Sequence, residues 1–171
     1  MYVSFVAGAW KALLDSNWFN EIKTVKIWSD GGPKHFKISA NMKLLLTIQH
    51  VTPSVDWWYN FFGAYHGCSV CDGVAAQAKA SLINSMRDNQ MAIRTSNQAI
   101  ETIGGLKNHS ANNIQIPSTD FSTNTFHGIT QYFKFKPHKT RNILYAYKTS
   151  EDETPIKRYL PHEIVDFEDI K

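Results

Sequence analysis

Hydrophobic positions in the first part of the chain follow two different periods, which predicts that helices and strands alternate. Apolar residues spaced by three and four indicate an amphipathic helix over residues 2–15. A β-branched and aromatic run predicts a strand over residues 22–29, and Pro33 fits the first turn of a following helix. The buried stripe of that helix would consist of Phe36, Ile38, Met42, Leu45 and Leu46. This pattern is typical of an α/β protein.

The alternation continues after a turn at Thr52-Pro53-Ser54. An aromatic run predicts a buried strand over residues 55–65. Two further helices are predicted, from Asp72 to about Met86 and from Ser96 to Ile103. The second of these would end at Gly104-Gly105.

The pattern changes beyond residue 107. A polar segment containing Pro117 predicts a linker over residues 108–125. Apolar clusters then predict three short strands, over residues 126–135, 143–147 and 156–160. We therefore expect one domain over residues 1–107 and a small β extension over residues 126–171, which ends in an acidic tail.

Composition narrows the class of protein without fixing its function. The 171 residues are 43% hydrophobic and 19% charged, which argues against disorder. The net charge of +3 permits a nucleic-acid partner but does not require one. Two cysteines do not suggest a secreted disulfide scaffold, and no run approaches the roughly 20 apolar residues of a membrane span. We expect an intracellular protein without a signal peptide or a membrane partner.

Two aspartates occupy positions that suit metal-dependent phosphoryl transfer. Asp30 ends a predicted strand and is followed by Gly31-Gly32, where another backbone can come close. Asp72 begins a predicted helix, and Lys79 lies on the same face of that helix two turns later. Carboxylates can hold the two divalent ions that activate a nucleophile and stabilise a leaving oxygen. The alternative is that Asp30 is a turn residue and Asp72 a helix cap.

These segments resemble a known superfamily. Ser29-Asp30-Gly31-Gly32, with Phe36, is similar to the motif around the second acid of ribonuclease-H-like DDE/DDD transposases and retroviral-type integrases. Asp72-Gly73, with Lys79, is similar to the third-acid helix of that superfamily. Together with His66-Gly67, the motifs are closest to those of uncharacterised transposon-derived eukaryotic proteins. The resemblance covers about residues 20–87 and, more weakly, residues 126–136.

The resemblance implies a partial ribonuclease-H-like fold, in which a mixed sheet is flanked by helices and followed by the β extension. It implies that Asp30 and Asp72 are the second and third ligands of Mg²⁺ or Mn²⁺. The chain would then be a nuclear, transposase-like polynucleotidyl transferase that acts on DNA and can form homo-oligomers. Neither Asp15 nor Asp56 occupies the place of the first acid, so we expect a partial catalytic domain that is inactive alone.

Several basic residues suit contacts with DNA. Lys79 would contact a phosphate, and Lys34, His35 and Lys37, which follow Asp30, would line a DNA-binding groove. His66 precedes Asp72 as in the resembling proteins, which implies that it is an accessory to the metal site. A solvated helix face is the alternative for Lys34, His35 and Lys37, and a structural role is the alternative for His66.

Other interpretations remain open at this level. The chain can instead be a transposon-derived domain that binds nucleic acid or protein without catalysis. His66, Cys68 and Cys71 can form part of a zinc site with His109 or His127, or a cysteine can act as a nucleophile.

A second basic segment follows the polar linker. Its cations alternate with aromatic residues, as in a half-buried strand with a basic outer face that can contact phosphates. These cations and the neighbouring histidine are Lys134, Lys136, His138, Lys139 and Arg141.

Overall fold

The chain folds into two compact units. In the computed structural model, the described residues are 2–16, 19, 21–32, 36–63, 70–88, 92–107, 109–114 and 126–161. We call Met1–Gly67 with Ile116–Lys171 the sheet unit, and Cys68–Gln115 the helical unit. The helical unit is therefore inserted into the sequence of the sheet unit.

Within its described residues, the sheet unit contains two α-helices, one 3₁₀ turn and five strands. The first half of its sequence contributes α1 (Tyr2–Asp15), β1 (Thr24–Ser29), α2 (Ser39–Val51) and β2 (Asp56–Phe61). The second half contributes the 3₁₀ turn η1 (Ile129–Gln131), β3 (Lys134–Pro137), β4 (Leu144–Tyr147) and β5 (Lys157–Tyr159). The helical unit contributes α3 (Val70–Asp88) and α4 (Ser96–Gly104).

The five strands form one mixed sheet in the order β1-β2-β3-β4-β5. Strands β1 and β2 are parallel and are joined through α2, because parallel neighbours need a crossover connection. The remaining neighbours are antiparallel. The predicted α/β class, with a mixed sheet flanked by helices, is confirmed.

Strands β3, β4 and β5 extend the same sheet that β1 and β2 begin. The compact units therefore divide the chain differently from the predicted boundaries at residues 107 and 126. Sequence patterns show where a strand lies but not which neighbour it pairs with, and here β3 pairs with β2 across the whole helical unit.

Three predicted elements differ from the structure by more than two residues. The strand predicted over residues 55–65 is β2, which ends at Phe61. Helix α2 begins at Ser39, because Ile38 has an extended backbone and ends the turn that follows residues 33–35. The predicted strand over residues 126–135 is instead a turn and η1, with β3 starting only at Lys134. Gly128 has a φ of 75°, a left-handed conformation that glycine tolerates and that cannot continue a strand.

The core of the sheet unit lies between the helices and one face of the sheet. Trp57 at its centre is fully buried, and its ring contacts Trp10 at 5.3 Å and Phe19 at 5.2 Å between centroids. The other fully or nearly fully buried apolar side chains include Met42, Leu45, Ile48, Phe61, Phe135 and Leu144. The strands bury alternate residues on this face and leave the others on the opposite, outer face.

The helical unit consists of α3 packed against α4, close to the predicted bounds. Helix α4 begins with a capping box, in which Thr95 accepts from the backbone of Gln98 and the Gln98 side chain accepts from the Thr95 N–H. Ser81 of α3 donates to the Thr102 carbonyl of α4 at 3.4 Å. None of the helices in the described residues combines the length and apolar character needed to cross a membrane.

A buried glutamine joins α2 to the start of β2. The Gln49 amide donates to the Val55 carbonyl at 2.9 Å, and its oxygen accepts from the Trp57 N–H at 3.4 Å. Gln49→Met should lower the free energy of unfolding by about 1–3 kcal/mol, because buried backbone groups lose a partner. Urea denaturation at neutral pH measures this loss. The exposed neighbour His50→Gln is the matched control, and an equal loss in both variants would contradict the role of Gln49.

Candidate functional site

Asp30 lies directly after β1, at the edge of the sheet where the parallel strands β1 and β2 both end. The pairing Ser29↔Phe61 is the last between these strands, and the Phe62 N–H donates to the Ser29 carbonyl at 3.0 Å. Asp30 is exposed and forms no ion pair with any described residue. The position predicted for it, at the carboxyl end of a strand, is confirmed.

The glycines after Asp30 belong to a tight turn. A side chain at Gly31 would begin 3.4 Å from the Phe62 carbonyl, so the neighbouring backbone of the same chain passes close by. A side chain at Gly32 would begin 3.4 Å from a carboxylate oxygen of Asp30. The Gly32 carbonyl accepts from the N–H groups of Phe36 and Lys37, each at 3.2 Å. The Asp30 carboxylate thus lies beside Gly32, where there is no side chain.

Asp72 lies in the helical unit, within the first turn of α3. Helix α3 begins at Val70, two residues before the predicted start. Asp72 and Lys79 are both exposed, and their spacing places them on the same face of the helix. Because Asp30 belongs to the sheet unit and Asp72 to the helical unit, their convergence on one metal site remains a prediction.

Some of the other predicted site residues lie outside the described residues. These are Lys34 and His35, in the segment 33–35, and His66 and Cys68, in the segment 64–69. Cys71 is exposed near the start of α3. Across the described ranges there is no cluster of three or more His, Cys, Asp or Glu side chains suited to a metal ion.

Lys37 has a packed position rather than the solvent-facing one considered for it. Its side chain is only 4% exposed, and its ammonium lies 3.9 Å from the centroid of the Phe133 ring and 5.1 Å from that of Phe61. The negative faces of the rings partly replace the lost hydration. Burial and, to a smaller extent, the positive charge of Lys148 lower the pKa of Lys37 to about 8.

The outer face of the sheet brings together cationic and aromatic side chains that the sequence pattern did not place beside one another. Lys134 pairs with Tyr147, Lys136 with Tyr145, and Tyr145 with Arg158 across adjacent strands. Of these, only the lysines were recognised from the sequence. Alternation along β4 and β5 places Tyr145 and Arg158 on the same face, but only the observed register brings them beside the lysines.

Cations lie against aromatic rings on this outer face. The ammonium of Lys136 is 4.0 Å from the Trp58 ring centroid, and that of Lys134 is 4.5 Å from the Tyr147 ring. Lys134 also donates to the Asp152 carbonyl. Of the two lysines of β3, Lys134 is buried, with 6% exposure, and only Lys136 is partly exposed. The basic outer face predicted for this strand is therefore present only at Lys136.

A comparison with known families assigns the chain to one of them. It belongs to the family described as Domain of unknown function (DUF8701), whose model matches residues 5–134. No curated protein and no solved structure matches the chain. The match includes Asp30, Lys37, Asp72 and Lys79, and it ends at the first residue of β3. The family therefore spans the parallel strand pair and the helical unit.

The buried Lys37 predicts a pH-dependent stability. Its pKa is about 8 in the folded chain against an ordinary value of 10.5, so the unfolded chain holds more protons between these pH values. The free energy of unfolding should therefore rise with pH across that window as this unfavourable contribution is relieved. At pH 7, Lys37→Met should be more stable than the natural chain by up to about 3 kcal/mol.

The stability difference between the Lys37→Met variant and the natural chain should shrink as the pH rises from 8 to 10.5. Urea denaturation at several pH values measures it, and the subtraction cancels the titration of other groups. The exposed lysine variant Lys23→Met is the control and should show no such trend. A difference that stays constant with pH would contradict the buried, easily deprotonated state of Lys37.

Proposed function

We propose that this chain is a transposase- or integrase-like domain that acts on DNA phosphodiesters, with Asp30 and Asp72 as ligands of Mg²⁺ or Mn²⁺. The observation that carries the proposal is the position of Asp30, exposed and unpaired by any described cation, at the carboxyl edge of the parallel pair β1–β2. In open α/β sheets this edge is where ligands usually bind. The sequence resemblance supplies the reaction class.

The chemistry of the two side chains suits the proposed ions. Mg²⁺ and Mn²⁺ prefer carboxylate oxygens, and both aspartates are exposed. When bound, a pair of such ions activates the attacking oxygen and stabilises the leaving oxygen in phosphoryl transfer. Asp30 would hold its ion from the segment directly after β1, and Asp72 would do so from the first turn of α3.

Lys79 has the role of a phosphate contact in this proposal. It is exposed on α3, and it lies on the same face as Asp72. Lys34 keeps the DNA contact expected from its basic segment, and His66 keeps the accessory role that the resemblance implies. Lys37 is not assigned a direct DNA contact, because its ammonium is packed on two phenylalanine rings.

Metal binding is the sharpest test, because the resemblance implies that the chain alone does not cleave DNA. Mn²⁺ binding is measured by isothermal titration and by loss of the free-ion electron paramagnetic resonance signal. We expect Asp30→Asn and Asp72→Asn each to weaken binding at least about tenfold, which corresponds to about 1.4 kcal/mol.

The control for the Mn²⁺ titration is Asp88→Asn, which removes an exposed carboxylate at the far end of α3. It should bind Mn²⁺ like the natural chain, and circular dichroism should show that all variants are folded. If either Asp30→Asn or Asp72→Asn binds Mn²⁺ as the natural chain does, the shared metal site is refuted.

A second candidate function is nucleic-acid binding without catalysis, as expected for a domain derived from such an element. The observation that favours it is the outer face of the sheet, where Lys136 and Arg158 flank Tyr145 in register. DNA binding that survives in EDTA, together with Mn²⁺ binding that Asp30→Asn and Asp72→Asn leave unchanged, would support this function over the metal-dependent one.

A further inference from the structure

A groove on the outer face of the sheet unit has the charge and the rings of a nucleic-acid site. Its volume is about 500 Å³, within the range of sites that hold a small ligand. The side chains that define its chemistry are Asp56, Lys136, His138, Lys139, Tyr145 and Arg158. We propose that this groove binds single-stranded nucleic acid, with its cations on the phosphates and Tyr145 against a base.

The charged residues of the groove comprise one close ion pair, Lys136 with Asp56, and two further cations, Lys139 and Arg158. Asp56 accepts from Lys136 at 3.1 Å and from the Trp58 indole N–H at 3.1 Å, which fixes the carboxylate at the inner end. Lys139 lies 4.0 Å from the same carboxylate, but its side chain is 56% exposed. Three cations thus line the groove with one carboxylate, which leaves two positive charges in excess among the lining residues.

His138 adds a neutral donor to these cations. Its Nδ1 accepts from the backbone N–H groups of Thr140 at 3.1 Å and Arg141 at 3.2 Å. In the neutral imidazole the hydrogen is therefore on Nε2, which can donate to a phosphate oxygen. A phosphate in this groove would thus meet an ammonium, a guanidinium and an imidazole N–H.

The rings favour an unpaired strand over other anions. Tyr145 is half-buried, with the Arg158 guanidinium 5.8 Å and the His138 ring 6.2 Å from its centroid. Trp58 on the same face is partly exposed, whereas Tyr147 beside it is buried, so Tyr145 is the ring offered to a base. An acidic peptide would use the cations of the groove but not its ring. A duplex would do the same, because its bases are stacked on one another inside the helix and cannot stack on Tyr145. Proteins that bind single strands combine such a basic surface with rings on which bases stack.

This proposal shares the nucleic-acid partner of the proposed function but does not use its metal ligands. The test is fluorescence anisotropy of a labelled oligothymidylate with the full chain in EDTA, over a range of salt concentrations. The double variant Lys139→Ala/Arg158→Ala should weaken binding at least about tenfold. It should also flatten the logarithmic salt dependence by about 1.4, as expected for two lost contacts to a single strand.

The charge-matched control is Lys11→Ala/Lys43→Ala, which removes two cations from α1 and α2 on the other side of the sheet. It should bind the oligonucleotide nearly as well as the natural chain. Tyr145→Leu should weaken binding about 5–150-fold, whereas Tyr145→Phe keeps the ring and should change it little. Unlabelled duplex of the same length should compete poorly.

Three results would overturn the groove proposal: equal loss in the two charge-matched variants, natural affinity in Tyr145→Leu, or equal competition by duplex and single strand. Asp30→Asn and Asp72→Asn should bind the oligonucleotide like the natural chain in EDTA. Failure of the metal site and failure of the groove are therefore separate results.

Discussion

The parallel pairing of β1 with β2 is the constraint on which the rest of the sheet unit depends. Parallel neighbours need a crossover, and α2 provides it by packing its buried residues on one face of the sheet. That packing commits alternate strand residues to the core around Trp57 and leaves their neighbours on the outer face. The same pairing makes both strands end at one edge, where Asp30 and its glycine turn lie.

The two candidate sites therefore arise from different consequences of one arrangement. The position of Asp30 follows from strand direction, because the carboxyl ends of the two parallel strands lie at the same edge of the sheet. The groove is a product of register, since Lys136, Tyr145 and Arg158 come from three antiparallel strands and meet through pairing. The burial of Lys37 is a third consequence. Lys37 lies just before the crossover helix α2, and its ammonium packs on the rings of Phe61 and Phe133.

Local patterns predicted the elements well and their assembly less well. The period of apolar residues placed α1, β1, α3 and α4 within about two residues, because each is set by neighbours in the chain. The late start of α2 and the turn at Gly128 were not predicted, because the residues at these positions are compatible with more than one backbone conformation. The burial of Lys37 and the register of β3 with β2 depend on contacts distant in sequence, so composition and spacing do not indicate them.

The insertion of the helical unit between β2 and β3 has a consequence for how the chain folds. Asn60 and Lys134 are neighbours in the sheet, yet every residue of the helical unit lies between them in sequence. Closing so long a loop carries an entropic cost that the local β1–α2–β2 and α3–α4 contacts do not share, so β3 should join late. Until it does, the backbone groups at the edge of β2 are unpaired beside several exposed aromatic rings. During synthesis that unpaired edge is open to pairing with other chains, so we expect it to be a starting point for aggregation.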